Sequence, residues 1–535
     1  MNKPDRKKHS RTIKNLKQKA NKGNLLSMTQ LYEYFSKGKY VEEISKDMAQ
    51  TYKEQVADEL ITSKFLVKSV DLYEFRRLRN IEIKFDKKLT IIIGNNGSGK
   101  TSIVEALAKT FSWFNNNLDK SSNGRYVTAA DVNVNSTDYS EVTTNIEFNK
   151  NTQFETVLTK TIAGNPNSKS SDVSDIKLAG LMYRHLANHD GISIPLLVYY
   201  SVERSDFKFL QTISEKASGD LSTNRFNSLD NALEGSAKLD NFSELYTELV
   251  NLAQGESASE VKALREQVNN SESLIREAYE GKEPPKEDPI VKILHSKKLE
   301  LDRALEENCS TKHQKQLELV NQAIESIVPD VTDFEVDRSS GQLRLMVRNF
   351  GNRVNISQLS QGQKTLVALT GDLARRLVTL NPDSDNPLKG HGIVIIDEVE
   401  LHLHPKWQQE VLVGFQKIFP HIQFIVTTHS PQVLSHIDPK NTTIINLKNE
   451  GENIRNVKVI DTYGKNADRI YEDNMKVSSR PKGIQKEFDD IFLLIEQKKL
   501  DEAKNKIDKL RDAIGEDGQL IKANTLIKRM EMIGR

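Results

Sequence analysis

Three short stretches carry residues equipped for chemistry. The first is Gly94-Asn95-Asn96-Gly97-Ser98-Gly99-Lys100-Thr101, which reads G-x-x-x-x-G-K-T, a phosphate-binding loop. Its glycines let backbone N–H groups turn inward on phosphate oxygens, and the start of a following helix adds positive potential. Lys100 suits the β- and γ-phosphates and Thr101 suits Mg²⁺, so ATP and Mg²⁺ are the expected cofactors. The second stretch is Asp397-Glu398. Asp397 is a candidate for the Mg²⁺ shell, and Glu398 for the base that polarises water for in-line attack on a γ-phosphate. The third is Thr427-Thr428-His429-Ser430-Pro431, where His429 can hydrogen-bond the γ-phosphate.

Each stretch needs a rigid mount, and the flanking sequence supplies one. The apolar run Leu89-Thr90-Ile91-Ile92-Ile93 reads as a buried strand before the glycine-rich loop, and Ser102 to Phe111 as a helix after it. Gly392-Ile393-Val394-Ile395-Ile396 is a buried strand with Asp397 and Glu398 at its carboxyl end. Phe424-Ile425-Val426 does the same for His429, and Pro195 to Tyr200 adds a further core strand ahead of Glu203-Arg204. Alternating segments at Phe65-Val67-Ser69, Ile81-Ile83-Phe85, Thr143 to Phe148, Phe334-Val336 and Leu343-Leu345-Val347 read as half-buried strands, the last two joined by a turn at Ser340-Gly341. The fold class is therefore α/β.

Composition narrows the functional classes. The 535 residues carry 76 Lys and Arg against 75 Asp and Glu, a net charge of +1. No global bias toward nucleic acid follows from that balance. The single cysteine, Cys309, excludes an internal disulfide framework and a cysteine zinc hook. No apolar stretch reaches transmembrane length, and Met1 to Lys22 is basic without an apolar centre, so no membrane association is expected and a cytoplasmic location follows by elimination.

Gln358-Leu359-Ser360-Gln361-Gly362-Gln363-Lys364 resembles the signature of ABC ATPases, L-S-x-G-x-(K/Q). Glu400-Leu401-His402-Leu403-His404-Pro405 resembles the E-x-H-L-H-P segment that replaces the D-loop in OLD/RecF-like ATPases. With the phosphate loop, Asp397-Glu398 and His429 in the same order, the chain is similar to the AAA15/OLD-like group of the SMC/RecF-like branch, over residues 64–210 and 331–445. The resemblance implies an ABC-type P-loop ATPase head with a helical insertion and helical N- and C-terminal additions. It implies that Ser360 and Gly362, with the helix that follows them, bind the γ-phosphate held by a second copy's loop. A homo-oligomer, at least a head-to-head dimer, is then expected. Phe75-Arg76 occupies the N-F-R-like position of recombination-repair ATP cassettes, where the arginine lies near the phosphates. The glutamine usual after the first helix is not evident, and Asp131 is a candidate substitute. Nuclease activity is not expected in this chain: the Toprim-type nucleases need acidic D-x-D clusters after the histidine, and Asp383-Ser384-Asp385 reads as a turn before it.

Length suggests three or four domains at about 150 residues each. Residues 1–62 read as a helical hairpin punctuated by Gly38, with a basic, solvated start that is also a candidate nucleic-acid contact; Ala20, Gly23, Gly38, Val41-Glu42, Ala49 and Tyr52 resemble a single Sel1-like repeat. The head follows in two lobes, 63–210 and 331–462, around a helical insertion at 211–330. In the insertion, Val261 to Tyr279 and Ile290 to Ile327 read as an antiparallel pair broken at Gly281 to Pro285, an arm of ~30 residues and ~45 Å. Residues 463–535 read as amphipathic helices, and Leu494-Ile495-Glu496-x-Lys498-Lys499-Leu500-Asp501-Glu502-Ala503 resembles the tail of the PtuA ATPases of Septu-type antiphage systems, which also occur in retron cassettes. That resemblance implies an ATP-binding and hydrolysing defence component that assembles with a separate HNH nuclease, PtuB, and in retron versions with a reverse transcriptase and its RNA–DNA hybrid. The alternative is a RecF-like repair ATPase that binds DNA directly.

Overall fold

The computed structural model describes residues 3–533 except 42, 167, 207–208, 210–211, 213–223, 236–241, 256–258, 280–284, 286–287, 309–310, 340–341, 452, 460 and 476–479. The turn expected at Ser340-Gly341 and most of the helix break at 281–285 lie outside the described residues. The chain divides into two compact units, Met1–Tyr463 and Gly464–Arg535.

The first unit opens with α1 (Lys3–Ala20), α2 (Leu25–Lys37) and α3 (Lys46–Thr62). The basic start is thus helical. Asn24 caps α2 by accepting from Ser27 N, and Gly38, at φ +66°, ends it in the left-handed conformation that glycine adopts without strain. These helices dock on the head: Leu25 N donates to Thr152 Oγ1 at 2.9 Å, and His185 Nε2 lies 2.7 Å from Glu33.

Then come β1 (Leu66–Phe75), β2 (Leu78–Lys84), β3 (Leu89–Gly94), α4 (Lys100–Leu118), β4 (Tyr139–Asn149), β5 (Thr152–Thr161), α5 (Ser174–Leu186) and β6 (Leu196–Tyr200). The insertion supplies α6 (Phe242–Ala253), α7 (Ser259–Ala278), α8 (Pro289–Asn308) and α9 (Thr311–Ile327). The second lobe adds β7 (Val331–Asp337), β8 (Arg344–Asn349), β9 (Asn352–Asn355), α10 (Gln361–Leu380), β10 (Gly392–Ile396), α11 (Pro405–Ile418), β11 (Ile422–Thr427), α12 (Pro431–Ser435), β12 (Thr442–Glu450) and β13 (Asn453–Val459).

The central sheet has the order β13-β12-β3-β11-β10-β6. All its pairings are parallel except β12 with β13. Every residue of β6, β10 and β11 is buried, and such unbroken apolar runs suit a parallel sheet covered on both faces. An antiparallel sheet, β2-β1-β4-β5, packs beside it, and β7-β8-β9 form a third. Phe65 joins two layers: its ring meets Phe114 and Phe148 edge-on, at 4.8 and 5.2 Å between centroids.

The insertion departs from the sequence reading. Ile290 to Ile327 falls on two described helices, α8 to Asn308 and α9 from Thr311, and residues 309–310 between them lie outside the described residues. Helices α7 and α8 pair through Val261, Val268, Leu301 and Ala304. By contrast α9 turns its buried face, Val320, Ala323 and Ile324, onto the head. The arm is therefore 20 residues a side, about 30 Å, shorter than expected. The sequence reading missed α6 altogether. Its Phe242 sits where a side chain at Gly371 of α10 would be, 2.3 Å from the position of a Cβ there.

The second unit contains α13 (Ala467–Ile470), α14 (Lys482–Glu496), α15 (Leu500–Ile514) and α16 (Gly518–Ile533). The last three close on a core of Phe488, Ile491, Ile495, Ala503, Ile507, Leu510, Leu520, Ala523 and Ile527. Arg480 covers the Phe488 ring at 4.3 Å and pairs with Asp517 at 2.9 Å. Among the described residues no helix is long and apolar enough to cross a membrane. Ile507 is fully buried. Ile507→Ala is expected to cost about 2–5 kcal/mol locally. Hydrogen exchange should then quicken across Lys482–Ile533, while β3, β10 and β11 keep their protection.

Candidate functional site

Parallel pairing sets the site. β3, β11 and β10 are neighbours, so the segments leaving their carboxyl ends converge. These segments are the phosphate loop, Thr427 to Ser430, and Asp397-Glu398.

The phosphate loop is built where only glycine fits. A Cβ on Gly94, φ +153°, would lie 2.6 Å from Ser98 Oγ and 2.8 Å from Leu447 O. One on Gly99, φ +91°, would lie 2.7 Å from Leu78. Lys100 follows as the first residue of α4 and is 6% exposed. Its Nζ donates to Gly94 O at 3.0 Å and Asn95 O at 3.4 Å. Burial lowers its pKa, opposed by Asp397, Glu398 and Glu400.

Thr101 Oγ1 donates to Asp397 Oδ2 at 2.8 Å, bridging 296 positions of sequence. Asp397 is fully buried, and its other oxygen accepts from Thr427 Oγ1. The same Thr427 hydroxyl accepts from Glu398 N at 2.8 Å. Glu398 sits at φ +48°, a strained conformation for a residue with a side chain. Arg204 holds the underside of this turn: Nη1 donates to the carbonyls of Ser201 and Asp397, and Nη2 to that of Glu398 at 2.7 Å. Burial pulls the Arg204 pKa down to about 10, against the pull of Asp397 and Glu400, so it stays a cation at neutral pH. The backbone N–H of His429 donates to Glu400 Oε1. Burial, with help from Lys100, lowers the His429 pKa and keeps the imidazole neutral at pH 7.

The remaining expected residues fall in two places. Ser360 caps α10 in a reciprocal box with Gln363, and a Cβ on Gly362 would lie 2.9 Å from both His402 O and the Trp407 ring. The signature thus packs on the His402–Trp407 segment, and among the described residues neither Ser360 nor Gly362 hydrogen-bonds the phosphate loop of its own chain. His404 accepts from Lys406 N as the cap of α11. Arg76 reaches the helix that follows the phosphate loop, through Glu105. It lies at φ +53° in the β1–β2 turn and gives its guanidinium to Asp131, at 3.0 Å, and to Glu105. The arginine that reaches the loop is its neighbour, Arg77, whose Nη1 donates to Gly97 O at 2.9 Å. Asp131 is a strut: it accepts from Thr128 N and Oγ1 and pairs with Lys109 at 2.9 Å as well as with Arg76. Burial raises its pKa, and the Thr128 and Lys109 contacts outweigh that and leave it low.

Sequence reasoning assigned no role to Thr427 or Arg204. Each carried a signal. Thr427 is a polar residue closing an apolar strand next to the histidine, and Arg204 is a cation four residues beyond another fully buried strand, β6. Arg204→Met leaves the carbonyls of Asp397 and Glu398 without their donors. We expect a loss of about 3 kcal/mol, read as a lower thermal midpoint at unchanged helix content.

The AAA ATPase domain family (AAA_15) matches residues 66–434. The chain is 31% identical to the retron Vc95 probable ATPase of Vibrio cholerae serotype O1 biovar El Tor over 463 residues, 83% of this chain and 85% of that protein. It is 31% identical to the retron Ec83 probable ATPase of Escherichia coli over 492 residues, 88% of this chain and 87% of that protein. A shorter match, 34% over 112 residues, joins 21% of this chain to 15% of the Septu protein PtuA of Bacillus mycoides (strain KBAB4). Among solved structures, an SMC head bound to the C-winged helix domain of ScpA is 13% identical, with a TM-score of 0.39 over 74% of this chain and 98% of that one. The chain belongs to the AAA ATPase domain family, beside the retron probable ATPases.

Proposed function

We propose that this chain is the ATP-binding and hydrolysing component of a bacterial antiviral defence system of the Septu or retron type, and that it assembles with and controls a separate HNH nuclease. The observation that carries the nucleotide reading is the Thr101–Asp397 contact, at 2.8 Å, beside Glu398 and beneath a glycine loop. The residues fit the group. Ser98 Oγ is buried without a partner among the described residues, and Lys100 Nζ rests on carbonyls of its own loop. Thr101 and Asp397 would hold Mg²⁺, which supplies charge neutralisation at the phosphate oxygens. Lys100 and the loop N–H groups bind the phosphates. Glu398 takes the proton of the attacking water, and His429, a neutral donor, orients on the γ-phosphate. Thr427 and Arg204 position Asp397 and Glu398.

That Ser360 and Gly362 make no hydrogen bond to the phosphate loop of their own chain among the described residues supports a second copy as their supplier. The defence reading is supported by similarity to retron probable ATPases along most of the chain. It assigns nucleic-acid cleavage to the partner, with a reverse transcriptase and its RNA–DNA hybrid added in a retron setting.

Three variants and one purification test this. Lys100→Ala should lose ATP binding, and normal binding there would refute the site. Glu398→Gln should bind ATP and turn it over about 10²–10⁴-fold more slowly. Thr427→Val should slow turnover about tenfold, as expected for losing positioning hydrogen bonds of ~1 kcal/mol each. Native purification from the host should bring down an HNH protein. Recovery of bare protein, or of duplex DNA alone, would point to a repair ATPase instead.

A further inference from the structure

A cavity of about 400 Å³ lies at the root of the insertion, walled by α6, α9, α10 and the 3-10 turn Arg225–Leu229. One wall is apolar, Leu245, Leu249 and Leu252. The rest of the lining is charged. It includes Arg225, Arg375, Glu248 and the pair Lys312–Asp383, at 2.7 Å, while burial and Lys312 lower the pKa of His313.

Arg375 is the informative member. It is 5% exposed, and its Nε is buried without an acceptor among the described residues. Nη2 reaches Asp372 Oδ1 at 2.9 Å. That carboxylate is shared. Its Oδ2 accepts from Arg376 Nε at 2.7 Å and from Tyr200 OH at 2.8 Å. Arg376 is further satisfied by the carbonyls of Ser228 and Asp230. Asp372 is the carboxylate hydrogen-bonded to both buried guanidiniums, and Asp230 acts on both at longer range. A buried N–H without an acceptor is costly unless something else supplies one.

We infer that this cavity is a binding site for a small organic anion, its phosphate or carboxylate group seated on Arg375 and its apolar body against Leu245, Leu249 and Leu252. A chain of hydrogen bonds links the site to Asp397. Tyr200, whose hydroxyl holds Asp372, accepts from Asp397 N through its own carbonyl at 2.9 Å. An anion that draws Arg375 off Asp372 thus acts one residue from Asp397. The inference does not depend on ATP turnover by this chain.

The test uses inorganic phosphate as probe and the full chain carrying Lys100→Ala, which silences the phosphate loop. Isothermal titration should show one saturable phosphate site per chain. Adding Arg375→Met should weaken it at least tenfold. Because that variant alters a buried ion pair, Thr379→Glu provides a second arm. It keeps Arg375, places an acid on the cavity wall one helical turn along α10, and should abolish phosphate binding while raising the thermal midpoint. No saturable binding in the Lys100→Ala parent, or binding that survives either added substitution unchanged, overturns the proposal.

Discussion

The buried carboxylate of Asp397 is the constraint on which the rest of the head turns. A carboxyl group with no exposure is tolerated only when each oxygen has a partner. Here the partners are the hydroxyls of Thr101, in the first turn of the helix that follows β3, and of Thr427, at the end of β11. Three strands must therefore be parallel, adjacent and in register to within a hydrogen bond. The sheet order β3-β11-β10 meets that demand, with Phe424 opposite Leu89 and Val394 opposite Phe424. Apolar burial along these strands gives the stiffness, and Asp397 at their end uses it.

Much of this was legible from residue type and spacing. The strands that position the site are unbroken apolar runs, and the phosphate loop has a composition that few other structures require. Elements set by long-range packing were not legible. Helix α6 carries no motif, and its place depends on Phe242 meeting Gly371, a contact visible only once α10 is folded beneath it. The helical pattern of Ile290 to Ile327 did not show that α8 and α9 serve different neighbours, because local periodicity does not say which face meets the head and which meets α7. The same limit applies at Arg76 and Arg77. Adjacent arginines in a turn diverge by side-chain direction, and here the left-handed backbone at Arg76 sends one to Asp131 and the other to Gly97.

Buried charge recurs wherever the insertion meets the head. Burial pushes the Asp372 pKa up, yet Arg376 and Arg375 together hold it at about 2. Arg204 beneath Asp397 is a further cation satisfied chiefly by carbonyls. Replacing such groups by well-packed apolar residues is often neutral or stabilising in other proteins, so stability alone is a weak account of their presence. Both clusters instead fix the direction of backbone next to a functional residue. Arg204 does so from below the Asp397-Glu398 turn, and Asp372 does so through Tyr200.

The loop after β10 shows how fixed backbone and free side chain are combined. Arg204 binds the Glu398 carbonyl, Thr427 binds its N–H, and Glu400 reaches across to His429. Together these contacts hold Glu398 in a positive-φ conformation that an isolated peptide would rarely adopt. Its carboxylate, by contrast, accepts no hydrogen bond among the described residues, whereas that of Asp397 a residue away is fully engaged. Strain held by the backbone and a carboxylate left to solvent are the properties a general base needs: it must be placed without being neutralised. A structural acid in the same turn would be expected to spend its oxygens on the cations nearby, as Asp131 does on Lys109 and Arg76.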